Sequence, residues 1–134
     1  MRRALAFASM ALFLNTGAVH AADPIPPQLV GVWASEGAVL HGPALFEGEA
    51  IYLGADGMGA IVGGPPPIGI KLTASYDPQK KTIEFDATEG QHRVHGALVY
   101  DEKSNTLDVG PPQHKLYYRK YDTLSDDVRR ALGL

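Results

Sequence analysis

One eight-residue pattern occurs twice in this chain. Tyr76-Asp77-Pro78-Gln79-Lys80-Lys81-Thr82-Ile83 returns 24 residues later as Tyr100-Asp101-Glu102-Lys103-Ser104-Asn105-Thr106-Leu107. Each copy places Tyr-Asp before four turn-forming or charged residues, then threonine and a branched aliphatic. This is a strand, a polar turn and a returning strand. Two copies are too few for a solenoid, and 24 residues is one hairpin plus its link. The chain therefore lays neighbouring antiparallel strands side by side. Its 15 glycines and 10 prolines favour many turns over long helices.

Side-chain parity gives the strands their faces, because alternate residues share a face and opposed residues point the same way. Setting Ile70, Leu72, Ala74 and Tyr76 inward pairs Tyr76 with Ile83, Ala74 with Phe85 and Leu72 with Ala87. The later hairpin pairs Tyr100 with Leu107 and Leu98 with Val109. Between the two, pairing Phe85 with Val94 sets Asp86 opposite Arg93 and Glu84 opposite His95 on the outer face. Opposite charges across strands each contribute about 0.2–1 kcal/mol.

Upstream, Ile51-Tyr52-Leu53 and Met58–Val62 flank Gly54-Ala55-Asp56-Gly57, with Leu53 expected opposite Met58 and Ile51 opposite Ala60. A first strand over Leu29–Ser35 and a last over His114–Lys120 bring the count to about eight. Gly63–Gly69, with Pro65, Pro66 and Pro67, reads as an exposed connection, since proline donates no amide hydrogen. Thr123–Gly133 reads as a short helix capped by Ser125 or Thr123 and closed by Gly133. Leu124, Val128 and Leu132 form its apolar stripe, suited to packing on the sheet.

The N-terminus has a different grammar. Arg2 and Arg3 precede an unbroken apolar run, Ala4–Leu14, and Val19-His20-Ala21 suits the cleavage positions of a secretory signal peptide. Residues 1–21 are thus expected to be a signal peptide, 22–28 an extended spacer, and 29–134 a single domain. The apolar run is well short of the roughly 20 residues that span a bilayer, so a stable membrane anchor is not expected and the destination is the periplasm or the exterior. With no cysteine, the domain has neither disulfides nor a lipid-anchor cysteine. Lys and Arg number 12 against 15 Asp and Glu, which removes the electrostatic basis for broad nucleic-acid binding.

A meander of eight strands leaves two edges open unless it closes on itself. Gly31-Val32-Trp33 at the start of the first strand resembles the Gly-x-Trp signature of lipocalins and related calycin barrels. That resemblance implies an all-β fold: an antiparallel up-and-down meander closed into a barrel, here with a short C-terminal helix. It also implies that Trp33 plugs one end and that an arginine late in the last strand, here Arg119, lies across it. Parity sets Arg119 opposite in sense to Leu116 and Tyr118, so this contact requires a bulge or the geometry of the barrel end.

An eight-strand barrel is filled by its side chains or holds one small ligand. The expected lining is Ile51, Leu53, Leu72, Ala74, Phe85, Ala87, Leu98 and Tyr118, with Ala60, Ala74, Ala87 and Gly96 as small members that leave room. No catalytic signature appears. Ser35, Ser75, Ser104 and Ser125 lie in no Gly-x-Ser-x-Gly context, and the Glu84/Asp86 pair alternates with apolar residues as a solvated face does. His92 and His95, three apart on a strand, point to opposite faces, so no metal site or other cofactor is expected. Two functions follow. One is a non-catalytic binding protein holding a small apolar ligand. The other is a protein-interaction barrel, an inhibitor or immunity-type protein, with a filled core and a protein partner met by the 63–69 loop and by Tyr52, Tyr117 and Tyr121.

Overall fold

The computed structural model describes residues 25–65, 68–109 and 115–134. The expected signal peptide, the first residues of the expected spacer, and His114 lie outside the described residues. The rest is all-β apart from one short helix. In chain order the strands are β1 (Gly31–Ser35), β2 (Val39–His41), β3 (Ala44–Leu53), β4 (Met58–Gly64), β5 (Ile68–Asp77), β6 (Thr82–Glu89), β7 (His92–Asp101), β8 (Thr106–Asp108) and β9 (Leu116–Tyr121). Helix α1 (Asp126–Leu132) follows.

Strands β3 to β9 pair in sequence order, and β1 lies between β9 and β3. The meander therefore closes into an eight-strand antiparallel barrel, with β2 as an additional strand on the first half of β3. Among the described residues no helix is long and apolar enough to cross a membrane.

The repeated hairpins adopt one geometry. Tyr76 pairs with Ile83 and Tyr100 with Leu107, in matching registers. Asp77 accepts the backbone N–H of Gln79 at 2.9 Å, and Asp101 that of Lys103 at 2.9 Å. Five residues after each tyrosine, Lys81 and Asn105 both take positive φ (53° and 57°). The Lys81 carbonyl accepts the Tyr100 N–H at 2.8 Å, joining the two units.

Two registers differ from expectation, and one ladder is shorter. Phe85 stands opposite Gly96, with Val94 opposite Ala87 and Asp86 opposite His95. The two-residue turn Gly90-Gln91, with Gly90 at φ 62°, sets this register, and bulk agrees with it: a Cβ on Gly96 would lie 2.6 Å from the Phe85 ring, so the ring fills the place of a missing side chain. The two-residue slide preserves faces. On the outer face it brings Asp86 to 2.9 Å from His95, in place of Arg93. In the β3–β4 hairpin Leu53 faces Gly59 and Ile51 faces Ile61. The turn is one residue longer than expected because the Gly54 N–H bonds the Met58 carbonyl (2.8 Å) and Asp56 accepts the Met58 N–H (2.9 Å). A one-residue slip exchanges faces, so Ala60 points outward and Ile61 inward. On the far side of β7 the register with β8 is the expected one, but the ladder ends at Val99–Asp108, one pair short of Leu98–Val109, and Val109 donates to the Lys115 carbonyl.

The connection expected over 63–69 is shorter. Gly63 and Gly64 complete β4, and Ile68 and Gly69 open β5, because glycine keeps the amide that proline lacks. At the N-terminus the expected spacer folds back on the barrel. Pro27–Leu29 form a 3-10 turn, and Ile25 and Leu29 are buried.

Two apolar clusters result. Inside the barrel, Trp33, Ile51, Leu53, Leu72, Ile83 and Leu98 are among the buried residues. Outside it, Val32, Ala34, Ala50, Tyr52 and Ala60 form a second cluster. This outer patch is covered by Leu124, just before α1, by Val128 and Leu132 of α1, and by the β2–β3 arm, through Leu40 and Leu45. Gly48 (φ 102°) bends β3 where the arm begins, and a Cβ there would lie 2.8 Å from the Ala38 Cα. The Leu45 backbone hydrogen bonds to the Tyr52 hydroxyl, and burial raises that phenol above its ordinary pKa.

Ser125 caps α1 by accepting the Val128 N–H at 3.3 Å, and Gly133 closes it in the left-handed conformation. Ser125→Ala is expected to cost about 1 kcal/mol in urea unfolding. An unchanged midpoint would detach the helix from the cooperative unit.

Candidate functional site

The two ends of the barrel differ. At one end gather the starts of β1, β4, β6 and β8 and their tight turns. Here the N-terminal turn lies across the lumen, and Trp33, fully buried, donates its indole N–H to the Leu29 carbonyl at 3.0 Å. The Tyr100 ring meets Trp33 edge-on, with centroids 6.1 Å apart. Arg119 stands opposite Trp33, and a bulge between Val32 and Trp33 makes this register possible. The Arg119 guanidinium binds the Gln28 carbonyl and the Asp122 carboxylate (2.8 Å), tying the N-terminal turn to the chain after β9. Over this end lies an open groove of about 510 Å³ between Tyr76, Pro78 and Tyr100, with Pro26 and the Lys81–Glu102 ion pair at its edges.

At the other end the inward face opens to solvent. Inward residues lose cover toward the rim: Ile51 and Leu98 are 2% and 1% exposed, whereas Ile68 and Val94 are 54% and 53% exposed. Ile61, Ile70, Phe85 and Val109 are partly buried between these extremes. Gly63 pairs with Glu49 on one side and Ile68 on the other, so its missing side chain would point into the mouth. A Cβ placed there meets only the Gly48 carbonyl, at 3.7 Å. Gly63 thus leaves open space between an apolar wall and Glu49.

Glu49 is a polar element of this mouth, beside Gly63. Its carboxylate accepts the Tyr117 hydroxyl and pairs with the Lys115 ammonium at 2.8 Å. Its backbone N–H donates to Ser35 Oγ at 3.2 Å. Burial pushes the Glu49 carboxyl up, but the hydrogen bonds from Lys115 and Tyr117, with the Lys115 charge, outweigh it and hold the group below its usual value. Burial and the same carboxylate raise the Tyr117 phenol.

The sign of the linkage follows. A carboxyl depressed in the folded state stabilises the fold above its unfolded pKa, and that contribution is lost as pH falls through the folded value. Wild type and Glu49→Gln should therefore differ in urea midpoint at about pH 6 and converge toward about pH 3. A gap that widens on acidification would contradict the Glu49 assignment.

These positions revise the expected lining. Ile51, Leu53, Leu72, Ala74, Ala87 and Leu98 face inward but are sealed in packing, so a ligand does not reach them without opening the barrel. Phe85 lines the mouth. Tyr118 does not face inward: it pairs with Ala34 on the outer face, and its neighbour Tyr117 opposite Ser35 is the buried lumen residue. The β1–β9 register decides this, because Tyr117 and Arg119 share the face of Trp33. Tyr52 and Tyr117, expected on the surface, are both buried. Glu49, Lys115 and Gly63 were not anticipated as a group. Glu49 lies in a stretch whose alternation is broken at Gly48, and Lys115 follows residues with no strand pattern.

Among the described residues no group of three His, Cys, Asp or Glu is placed to hold a metal ion. His95 lies outside, beside Asp86 and Glu84 (3.8 Å). No protein-family model, curated protein or solved structure matches this chain.

Proposed function

We propose that this protein is a non-catalytic binding barrel, related in plan to the lipocalins, that takes a small apolar or amphipathic ligand at its open mouth. The observation that carries this reading is the gradient of exposure along the inward face, from sealed Leu98 to open Val94 and Ile68. A filled barrel buries such side chains, and a mouth that presents them to water gains by covering them, about 25 cal/mol per Å² of apolar surface. Residues 1–21 fit delivery to the periplasm or exterior, where a carrier without disulfides depends on its packed half for stability.

Native mass spectrometry of detergent-free protein should find a bound small molecule that denaturation releases. Gly63→Leu, whose Cβ meets only the Gly48 carbonyl and at an ordinary contact distance of 3.7 Å, should abolish that adduct while leaving the melting temperature near wild type. An adduct-free protein whose melting temperature no apolar compound raises would refute the reading.

A second reading rests on the β2–β3 arm. Phe46 is 63% exposed and stacks on His41 with centroids 4.9 Å apart, and Val39 is exposed beside them. An aromatic tip of this kind suits a protein partner.

A further inference from the structure

We infer that the mouth selects an organic cation with an apolar tail, an alkylammonium, and that Lys115 is the internal group this ligand displaces. This rests on the binding reading above. Glu49 is the inward carboxylate beside Gly63, with its side chain 32% exposed. Tyr117 donates to it from one side and Ser35 fixes its backbone, so its position is set independently of Lys115. Lys115 brings an ammonium on an aliphatic stem, which is the chemistry of the inferred ligand. Its side chain is 55% exposed. An ion pair this open to water contributes little, so displacing Lys115 costs little, and a ligand ammonium whose tail shields the site from water is screened less and gains more from Glu49 than Lys115 does.

The tail then decides the exchange. With Lys115 in place, Ile68 and Val94 remain 54% and 53% exposed, whereas an alkyl chain entering beside Gly63 would lie between Ile61 and Ile68. Each buried methylene is worth about fourfold in affinity. An anionic head group would meet Glu49 at short range, and Glu89 stands on the same inward face at the rim, opposite His92. A carboxylate or phosphate amphiphile is therefore disfavoured.

The test is titration calorimetry of the whole protein, at neutral pH, with n-octylamine, octanoate and 1-octanol. Octylamine should bind at least about tenfold tighter than octanoate and tighter than octanol. Lys115→Met should tighten octylamine severalfold and leave octanol unchanged, and Glu49→Gln should bring octylamine down to octanol's level. Near-ultraviolet circular dichroism checks that Glu49→Gln folds, and the Lys115→Met result stands if it does not. If the three probes bind equally, or octanoate is preferred, the head-group inference fails and the binding reading survives. If none binds, both fail. Octylamine binding that persists in Gly63→Leu lies elsewhere and also overturns the inference.

Discussion

Trp33→Ala should remove about 3–5 kcal/mol of stability in urea or thermal unfolding. The indole is fully buried and its N–H is the donor to the Leu29 carbonyl. Truncation therefore leaves a cavity and an orphaned acceptor under the N-terminal turn. Trp33→Phe separates the two contributions. It keeps much of the apolar volume but not the donor, and should cost about 1–3 kcal/mol. Because Arg119 also holds this turn through the Gln28 carbonyl, hydrogen exchange at Leu29 and Val30 should rise in both variants. A loss below about 1 kcal/mol in Trp33→Ala would mean that the sealed end does not support the barrel.

Gly31→Ala should be comparably severe for a different reason. Gly31 has φ 139°, which other residues rarely adopt, and a Cβ there would collide with the Tyr121 carbonyl oxygen of β9. Strain of about 1–3 kcal/mol adds to overpacking of about 1–3 kcal/mol, giving about 2–6 kcal/mol. The collision lies at the seam where β1 joins β9 and closes the barrel. Gly37→Ala is the control: φ there is 85°, but nothing lies within 4 Å of the added Cβ. It should carry the strain alone, about 1 kcal/mol. Equal losses at the two positions would show that closure at the β1–β9 seam tolerates displacement.

These two residues explain the Gly-x-Trp start in physical terms. The glycine lets two backbones approach at the seam, and two residues on, the tryptophan reaches the lumen and supports the turn that seals it.

The barrel was legible because its central hairpins alternate cleanly and carry turn residues that set their own register. Asp77 and Asp101 bond the amides of their turns, so the Tyr76–Ile83 and Tyr100–Leu107 pairings follow from local chemistry. In the β6–β7 hairpin matching apolar residues was insufficient, because the two-residue turn Gly90-Gln91, with Gly90 at φ 62° and Glu89 opposite His92, sets the register. Phe85 then sits on Gly96, where packing rewards a ring over an empty position, and sequence parity has no term for that. The β2–β3 arm was missed because Ala44-Leu45-Phe46 does not alternate and Gly48 bends the strand, so the stretch shows no period of two. Its cover over Tyr52 is visible only after the outer face of β1, β3 and β4 is known to be apolar. The mouth was the least legible part. Glu49 and Lys115 are 66 residues apart in the chain, and only the β1–β3 and β1–β9 pairings bring them together. The notion of a lining was sound as to face but not depth, since parity says which way Leu98 and Val94 point, not which is sealed.

The central claim is a barrel packed at its Trp33 end and open at the other, and the chain's six isoleucines sample both halves. Ile25, Ile51 and Ile83 are buried, while Ile61, Ile68 and Ile70 line the mouth. The decisive measurement is methyl NMR of isoleucine-labelled protein titrated with a soluble paramagnetic gadolinium chelate. The account predicts two groups of three: strong broadening at Ile61, Ile68 and Ile70, and little at Ile25, Ile51 and Ile83. Uniform protection of all six would mean a barrel filled from end to end, and strong broadening at Ile51 or Ile83 would mean that the Trp33 end is not sealed.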